Sequence, residues 1–279
     1  FLQSLGKAEL ELLTEKEIVG SLFNTAYQGT ENSSETTLNA AKTLADSIGA
    51  KFYDWTIDDS VNTNTRIIEE ALSRKLTWKQ DDLALQNIQA RSRSPIIWML
   101  TNITNTLLLT TSNRSEGDVG YATMDGDTSG SIAPISSVDK HFIRTWLKYA
   151  EKELGYEGLA AINILPPTAE LRPLTDNQTD EDDLMPYHIM VEIEKLAIRD
   201  HKSPMEVFAM LKGKDLEPAR LLKEHIIKFY RLWSRNQWKR ERLAPAFHLD
   251  EFNVDPRTWC RFPILSSGFK EELEELKNS

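Results

Sequence analysis

The sequence predicts an α/β fold, a mostly parallel sheet with flanking helices that gives way to a helical carboxy-terminal region. Three observations predict it. Strand and helix signals alternate through the first half of the chain. A long polar loop follows a short strand candidate near residue 110, and beyond residue 139 the apolar spacing is helical almost throughout.

Residues 19–27 form an apolar, β-favouring run that turns at Gln28, Gly29 and Thr30. Ser34 is placed to cap a helix whose Leu38, Ala41, Leu44, Ala45 and Ile48 recur at helical spacing, and Gly49 suits its end. Residues 51–57 alternate and carry aromatics, as a strand does. Asp58 or Asp59 caps a second helix to about residue 72, and Asp81 or Asp82 starts a long one to about residue 100. Residues 107–111 are a short buried-strand candidate. The loop at 112–137 holds Gly117, Gly120, Gly126 and Gly130, and a long polar loop at a strand end is where function tends to sit. Helices are expected over 140–154, 184–198, 203–211 and 217–240. A second loop, rich in Pro, Thr and Asp, spans 166–183.

The chain has 279 residues, 40% of them apolar and 27% charged, which fits a globular protein with one large core or two small ones. No apolar stretch reaches the ~18 residues of a spanning helix, so no membrane partner is expected. Residues 1–9 lack a basic stretch leading into an apolar run, so no signal peptide is expected. The single cysteine, Cys260, cannot form an internal disulfide and fits a reducing cytoplasm, where a packed thiol is expected rather than a nucleophile. A net charge of −10 argues against a general nucleic-acid binder. Lys228, Arg231, Arg235, Lys239 and Arg242 do recur at helical spacing with Trp233 and Trp238 interleaved. That pattern suits either nucleic acid or a partly packed helix whose arginines cover tryptophan faces, and the second is favoured.

Five segments occur in one order. They are Asn87-Ile-Gln-Ala-Arg91 with Arg93; Thr111-Ser-Asn-Arg-Ser-Glu-Gly-Asp-Val-Gly-Tyr-Ala-Thr-Met-Asp-Gly-Asp127; Lys140 after a segment centred on Pro134; Pro167-Thr-Ala-Glu-Leu-Arg-Pro173 followed by Gln178-Thr-Asp-Glu181; and Lys239-Arg240. Together they resemble the NAD synthetases, over roughly residues 18–265. The wording is closer to the synthetase domain of the glutamine-dependent members than to the ammonia-dependent ones. The resemblance implies a Rossmann-like, adenine-nucleotide α-hydrolase-like fold of the ATP pyrophosphatase superfamily, with residues 1–279 as a single such domain. It implies a reaction in which the nicotinate carboxylate of deamido-NAD attacks the α-phosphorus of ATP. Ammonia then displaces AMP from the acyl-adenylate to give NAD.

Such a reaction brings negative charge against negative charge, so cations and positioning carry it. The resemblance implies catalytic roles for Glu116 and Lys140. It implies ATP contacts from Thr111, Lys140 and, on a mobile loop, Thr168. It implies deamido-NAD contacts from Asn87, Arg91, Glu116, Tyr121, Ala122, Thr123, Met124 and Lys239. Arg91 lies four residues from Asn87, on the same helical face, and is placed to meet a substrate phosphate. Glu116 offers a hard oxygen suited to Mg²⁺; the position is a metal ligand in one branch and a deamido-NAD contact in the other, and both roles stay open. Lys140 follows Asp139 at a helix start, where a cation is mildly unfavourable, and that misfit favours a functional role. The acidic stretch of Asp176 and Asp180 to Asp183 reads as solvated and capping, or as part of a lid.

Ser-Gly-Gly-x-Asp-Ser, the loop that grips the ATP phosphates in that family, does not occur in these residues. It is expected one strand and one helix before residue 19, so the sequence reads as entered after it. Met124 stands where the family more often has a polar or aromatic residue. No glutaminase pattern is present, so the ammonia is expected to be free or to come from a glutaminase domain or partner outside these residues. A homo-oligomer, a dimer or larger, is implied as well. The competing expectations are a relative such as GMP synthetase, or a non-catalytic nucleotide-binding module.

Overall fold

The computed structural model describes residues 6, 10 and 12–279, apart from 177, 250–252, 259 and 265. The signal-peptide expectation for residues 1–9 falls mostly outside them. The chain divides into two compact units, Phe1–Gln89 with Arg144–Gln178, and Ala90–Ile143 with Thr179–Ser279.

Helix α1 (Glu15–Leu22) takes over the first residues of the strand run expected at 19–27. Thr14 and Glu17 decide it: the Thr14 N–H donates to Glu17 Oε2 at 2.8 Å, and the Thr14 hydroxyl accepts from the Glu17 N–H. The strand β1 is therefore confined to Asn24–Gly29. Helix α2 (Glu35–Ile48) is capped by Ser34 and ends at Gly49 with φ of 79°, as expected. Strand β2 (Lys51–Thr56) pairs parallel with β1, Asn24 opposite Lys51 through Gly29 opposite Thr56. The two strands with α2 between them form a βαβ unit. Among the described residues the parallel sheet has these two strands, smaller than the alternation suggests.

Helix α3 (Asp58–Leu72) has Ile57 at its N-cap with no side-chain cap. Asp58 accepts instead from the Glu31 N–H at 3.0 Å, and both Asp58 and Asp59 sit in the first turn, where a carboxylate suits the helix dipole. Helix α4 (Trp78–Thr104) starts earlier than expected and bends at Asp81. The carboxylate of Asp81 binds Arg74 at 2.7 Å and the Thr77 N–H at 2.9 Å, which holds the bend. Residues 107–111 make one bridge, Leu109 to Ile132, rather than a strand.

The 112–137 loop contains an unexpected short helix, α5 (Arg114–Val119). Helix α6 (Lys140–Glu153) is capped by Asp139, whose Oδ1 accepts from the Phe142 N–H at 2.7 Å. A turn of helix, α7 (Ala160–Asn163), precedes the 166–183 segment, which ends in α8 (Asp180–Asp183). Where a mobile loop is expected, the segment is tied down within the first unit. Arg172 Nε lies 2.9 Å from Asp82 Oδ1, Gln89 donates to the Leu171 carbonyl at 2.7 Å, and Ser34 Oγ donates to Glu170 at 2.7 Å.

Helix α9 (Tyr187–Glu194) runs into a wide turn at Lys195–Arg199. Helix α10 (Pro204–Lys212) has Ser203 as N-cap and proline at its start. The expected helix over 217–240 is two, α11 (Ala219–Arg235) and α12 (Gln237–Arg240), broken at Asn236. The Asn236 side chain donates to the Val119 carbonyl at 2.7 Å, which caps the end of α5 and fixes the break. A last helix, α13 (Lys270–Asn278), carries no expectation from the sequence. The core of the second unit is built from α9, α10, α11 and α13, with Ile193, Ile198, Leu211, Ile226, Phe229 and Leu276 fully buried. Cys260 is buried in this core, and burial pushes its thiol up to about 11, so it packs rather than reacts.

Candidate active site

The site is built on α5. Asn113 accepts from the Glu116 N–H at 3.2 Å, and its amide donates back to Glu116 Oε1 at 2.6 Å. This box fixes the Glu116 carboxylate at a helix start. Lys140 Nζ lies 3.2 Å from the same oxygen, and the Lys140 N–H donates to Ser115 Oγ at 3.0 Å, so the starts of α5 and α6 are stitched together. Burial raises the pKa of Glu116, and Lys140 opposes that rise.

Asp180 faces the same lysine. It is buried, against the expectation of a solvated carboxylate, and it accepts from the Tyr187 hydroxyl at 3.0 Å. Burial raises its pKa and Lys140 opposes the rise. Tyr187 is pushed well up, by burial first and then by Asp180. One carboxylate, Glu116, is paired with the ammonium group of Lys140, and a second, Asp180, feels its charge. Tyr121 donates to Asp183 at 2.8 Å, so the acidic stretch has an inner side, Asp180 and Asp183, that belongs to the site.

Arg114 underpins this arrangement. Its NH1 donates to the Ser137 carbonyl at 2.7 Å, its NH2 lies 3.3 Å from Asp139, and its Nε forms an ion pair with Glu194. Asp118, Glu194 and Arg240 are buried beside it. Burial raises the pKa of both carboxyls, and the two arginines pull Asp118 back down. Arg240 also donates to the Asp118 carbonyl at 2.9 Å. Two guanidinium groups against Asp118, Glu194 and Asp139 leave one excess negative charge, and a proton shared between Asp118 and Glu194 removes it.

A second group lies around the 121–127 turn. Arg91 Nε donates to the Met124 carbonyl at 3.0 Å, and Lys239 Nζ donates to the Gly120 carbonyl at 2.8 Å. Burial lowers the pKa of Lys239; Asp127 opposes this, and Arg235 and Arg91 add to it. Thr123 is buried, with its N–H on Asp127 at 2.6 Å, while Tyr121, Ala122 and Met124 are half-buried. Gly126 packs on Ala90, where a Cβ would come within 2.8 Å of the Ala90 carbonyl carbon. The second unit holds these residues in two groups, Glu116 with Lys140, and Arg91 and Lys239 at the turn that carries Tyr121, Ala122, Thr123 and Met124. Thr111 is in the same unit and exposed. Asn87 and Thr168 belong to the first unit. There the Thr168 hydroxyl donates to the Gln178 carbonyl at 2.7 Å and accepts from the Glu170 N–H.

Among the described residues no arginine covers the face of Trp233 or Trp238. Trp233 packs against Phe262, 4.7 Å between centroids, and Phe269, while Lys239 stands 5.8 Å from the centre of Trp238. Asn113, Arg114, Asp118, Asp180, Tyr187 and Glu194 carry no expectation as site residues. Asn113 had a legible signal, since Asn-x-x-Glu is a capping box. The others depend on contacts between distant segments.

Among the described residues no group of three or more His, Cys, Asp or Glu is placed to hold a metal ion. The donor set still fits a magnesium ion held largely by substrate phosphates. Glu116 Oε2 accepts only a long 3.4 Å bond from the Asn113 N–H, which leaves it lone pairs for a hard cation.

Fold and site define a class: an α/β protein in which a capped carboxylate on one short helix, α5, pairs with a lysine at the start of the next, α6. Within that class the chain belongs to the NAD synthase family, whose profile matches residues 13–242. It is 34% identical over 260 residues to a glutamine-dependent NAD(+) synthetase of Arabidopsis thaliana, covering 86% of this chain and 36% of that one. The corresponding protein of Aquifex aeolicus is 32% identical over 246 residues, 88% of this chain and 40% of that one. The crystal structure of a glutamine-dependent NAD(+) synthetase from Cytophaga hutchinsonii superposes with a TM-score of 0.84 at 50% identity, covering 99% of this chain and 45% of that one. The chain thus spans about two-fifths or less of the length of these curated relatives.

Proposed function

We propose that the protein of which these residues are part converts deamido-NAD to NAD at the expense of ATP, with both units forming one synthetase domain. The observation that carries this is the half-buried Glu116–Lys140 pair, in which Glu116 is held on a capped helix inside the motif that resembles the family's. The nicotinate carboxylate attacks the α-phosphorus of ATP and pyrophosphate leaves, then ammonia attacks the acyl carbon of the adenylate and AMP leaves.

Lys140 neutralises ATP phosphate charge as pyrophosphate departs, and Glu116 orients its ammonium group. Thr111 and Thr168 contact ATP. Asn87, Arg91, Glu116, Lys239 and the 121–124 strip contact deamido-NAD, with Arg91 and Lys239 supplying charge for its phosphates. Glu116 is the residue here that would hold Mg²⁺, which would neutralise further polyphosphate charge. The names of the relatives support a glutaminase elsewhere in the protein, or a partner, as the ammonia source. A homodimer or larger assembly and a cytoplasmic location complete the proposal. No helix among the described residues is long and apolar enough to cross a membrane.

The test is NAD formation by the full-length protein from ATP, Mg²⁺, deamido-NAD and ammonium, alongside Glu116→Ala and Lys140→Ala. NAD made by the wild type and lost in both variants supports the assignment. Turnover of xanthosine monophosphate instead would point to a GMP synthetase relative. Tight deamido-NAD binding with no ATP-dependent pyrophosphate release would point to a binding module.

A further inference from the structure

Helix α11 carries a row of cations along one exposed side: Arg220, Lys223, Lys228, Arg231 and Arg235. The row spans ~22 Å at the helical rise per residue. Lys277, in the last turn of α13, faces it, and together they line an open cavity of about 580 Å³ with Ile227 and Leu232 as its apolar floor. That volume lies within the range of small-ligand sites.

Among the described residues one carboxylate, Glu224, lines the cavity, and it is held by Arg220 at 2.6 Å. Lys223 stands 5.0 Å from the centre of the Phe208 ring. Lys228 is half-buried, and the charge of Asp183 partly offsets the effect of that burial. Arg231, Arg235 and Lys277 have no carboxylate within ion-pair distance among the described residues. The sequence has 43 acidic and 33 basic residues, so acids for pairing are plentiful. A concentration of unpaired cations around one cavity of an acidic protein is mutually repulsive until an anion enters.

We propose that this cavity, whose lining shares no residue with the site described above, binds a polyphosphate group. Guanidinium groups match phosphate oxygens in paired geometry, and the lysines add point charges. The group is borne by inorganic polyphosphate or by the phosphate chain of a nucleotide. A long nucleic acid fits less well: the rest of the exposed side of α13 is acidic, with Glu271, Glu272, Glu274 and Glu275, and repels a polyanion that runs past the cavity. The proposal is independent of the reaction assigned above.

The test titrates inorganic tripolyphosphate into the full-length protein, its Arg231→Gln/Lys277→Gln variant and, as a control for lost charge elsewhere, Lys152→Gln. Arg231 and Lys277 are exposed and unpaired, so their replacement leaves the fold intact, and circular dichroism checks this. The expected result is affinity about tenfold weaker in the double variant, unchanged in the control and falling with added salt. Hydrogen exchange in α11 and at the end of α13 should slow on binding to the wild type. Competition by ATP for that protection identifies a nucleotide as the bearer; its absence identifies inorganic polyphosphate. Equal affinity in all three proteins, no protection in α11, or tighter binding of a single-stranded oligonucleotide than of tripolyphosphate overturns the proposal.

Discussion

Glu116 and Lys140 hold one another at 3.2 Å in a half-buried setting, and each has a second tether, Asn113 on one side and Ser115 on the other. A charge held this way needs little reorganisation when a polyphosphate arrives, which is the physical content of preorganisation. Replacing Lys140 by Ala should lower kcat/KM for NAD formation by about 10²–10³-fold, while circular dichroism stays unchanged. A fall of less than about threefold would remove Lys140 from the chemistry. Tyr187 acts one contact further out. Tyr187→Phe leaves the buried Asp180 without its hydroxyl donor and should cost ~1–3 kcal/mol in urea unfolding. Asp180 was hidden among four consecutive acids, where a solvated stretch is the ordinary expectation. Only the fold distinguishes Asp180, the one that is buried, from its neighbours.

At the scale of the element, α5 is the part of the site least visible in the sequence and the most constrained in the structure. It is six residues long and polar, with no apolar periodicity to announce it. It forms because both ends are capped: Asn113 and Glu116 at the start, and Gly120 with φ of 63° at the end. Gly120 is also crowded, since a Cβ there would lie 2.4 Å from Asn236 Cβ, so Gly120→Ala should destabilise by more than ~1 kcal/mol. Asn113→Ala should cost ~1 kcal/mol from the lost cap, and should also raise KM or lower kcat, because the same amide holds Glu116. A variant with reduced stability but unchanged kinetics would show that the cap does not position the carboxylate. By contrast α2 was legible at both ends, because Ser34 and Gly49 act through local geometry alone. The strand run at 19–27 misled for the converse reason: a reciprocal cap at Thr14 and Glu17 claimed its first residues for a helix. The break at Asn236 likewise depends on a partner more than a hundred positions away, Val119, which periodicity cannot register.

Across the second unit, the buried charges couple the site to stability. Asp118 and Glu194 both have raised pKa values because they are buried, so the folded state keeps a proton that the unfolded chain releases near pH 4. Their contribution is fully present below the ordinary carboxylate pKa and is lost as pH rises through the raised values. The midpoint of thermal unfolding should therefore fall between pH 5 and pH 8 more steeply in the wild type than in Asp118→Asn, which cannot release that proton. Parallel curves would mean that the carboxyl pair does not share a proton. The apolar part of that unit was legible in outline: the helices after residue 139 are where the spacing put them, and Leu211, Ile226 and Phe229 are buried as their spacing requires. The charged interior was not legible, since Arg114, Asp118, Glu194 and Arg240 each look like surface residues until four segments are folded together.

The central claim is that the nicotinate carboxylate is adenylated before ammonia attacks. The measurement that tests it most directly uses deamido-NAD labelled with ¹⁸O in that carboxylate, turned over by the full-length protein with ATP, Mg²⁺ and ammonium, and analysed by mass spectrometry of the products. The account predicts one labelled oxygen in the phosphate of AMP and none in pyrophosphate. Label in inorganic phosphate with ADP as co-product, or unlabelled AMP, would contradict it.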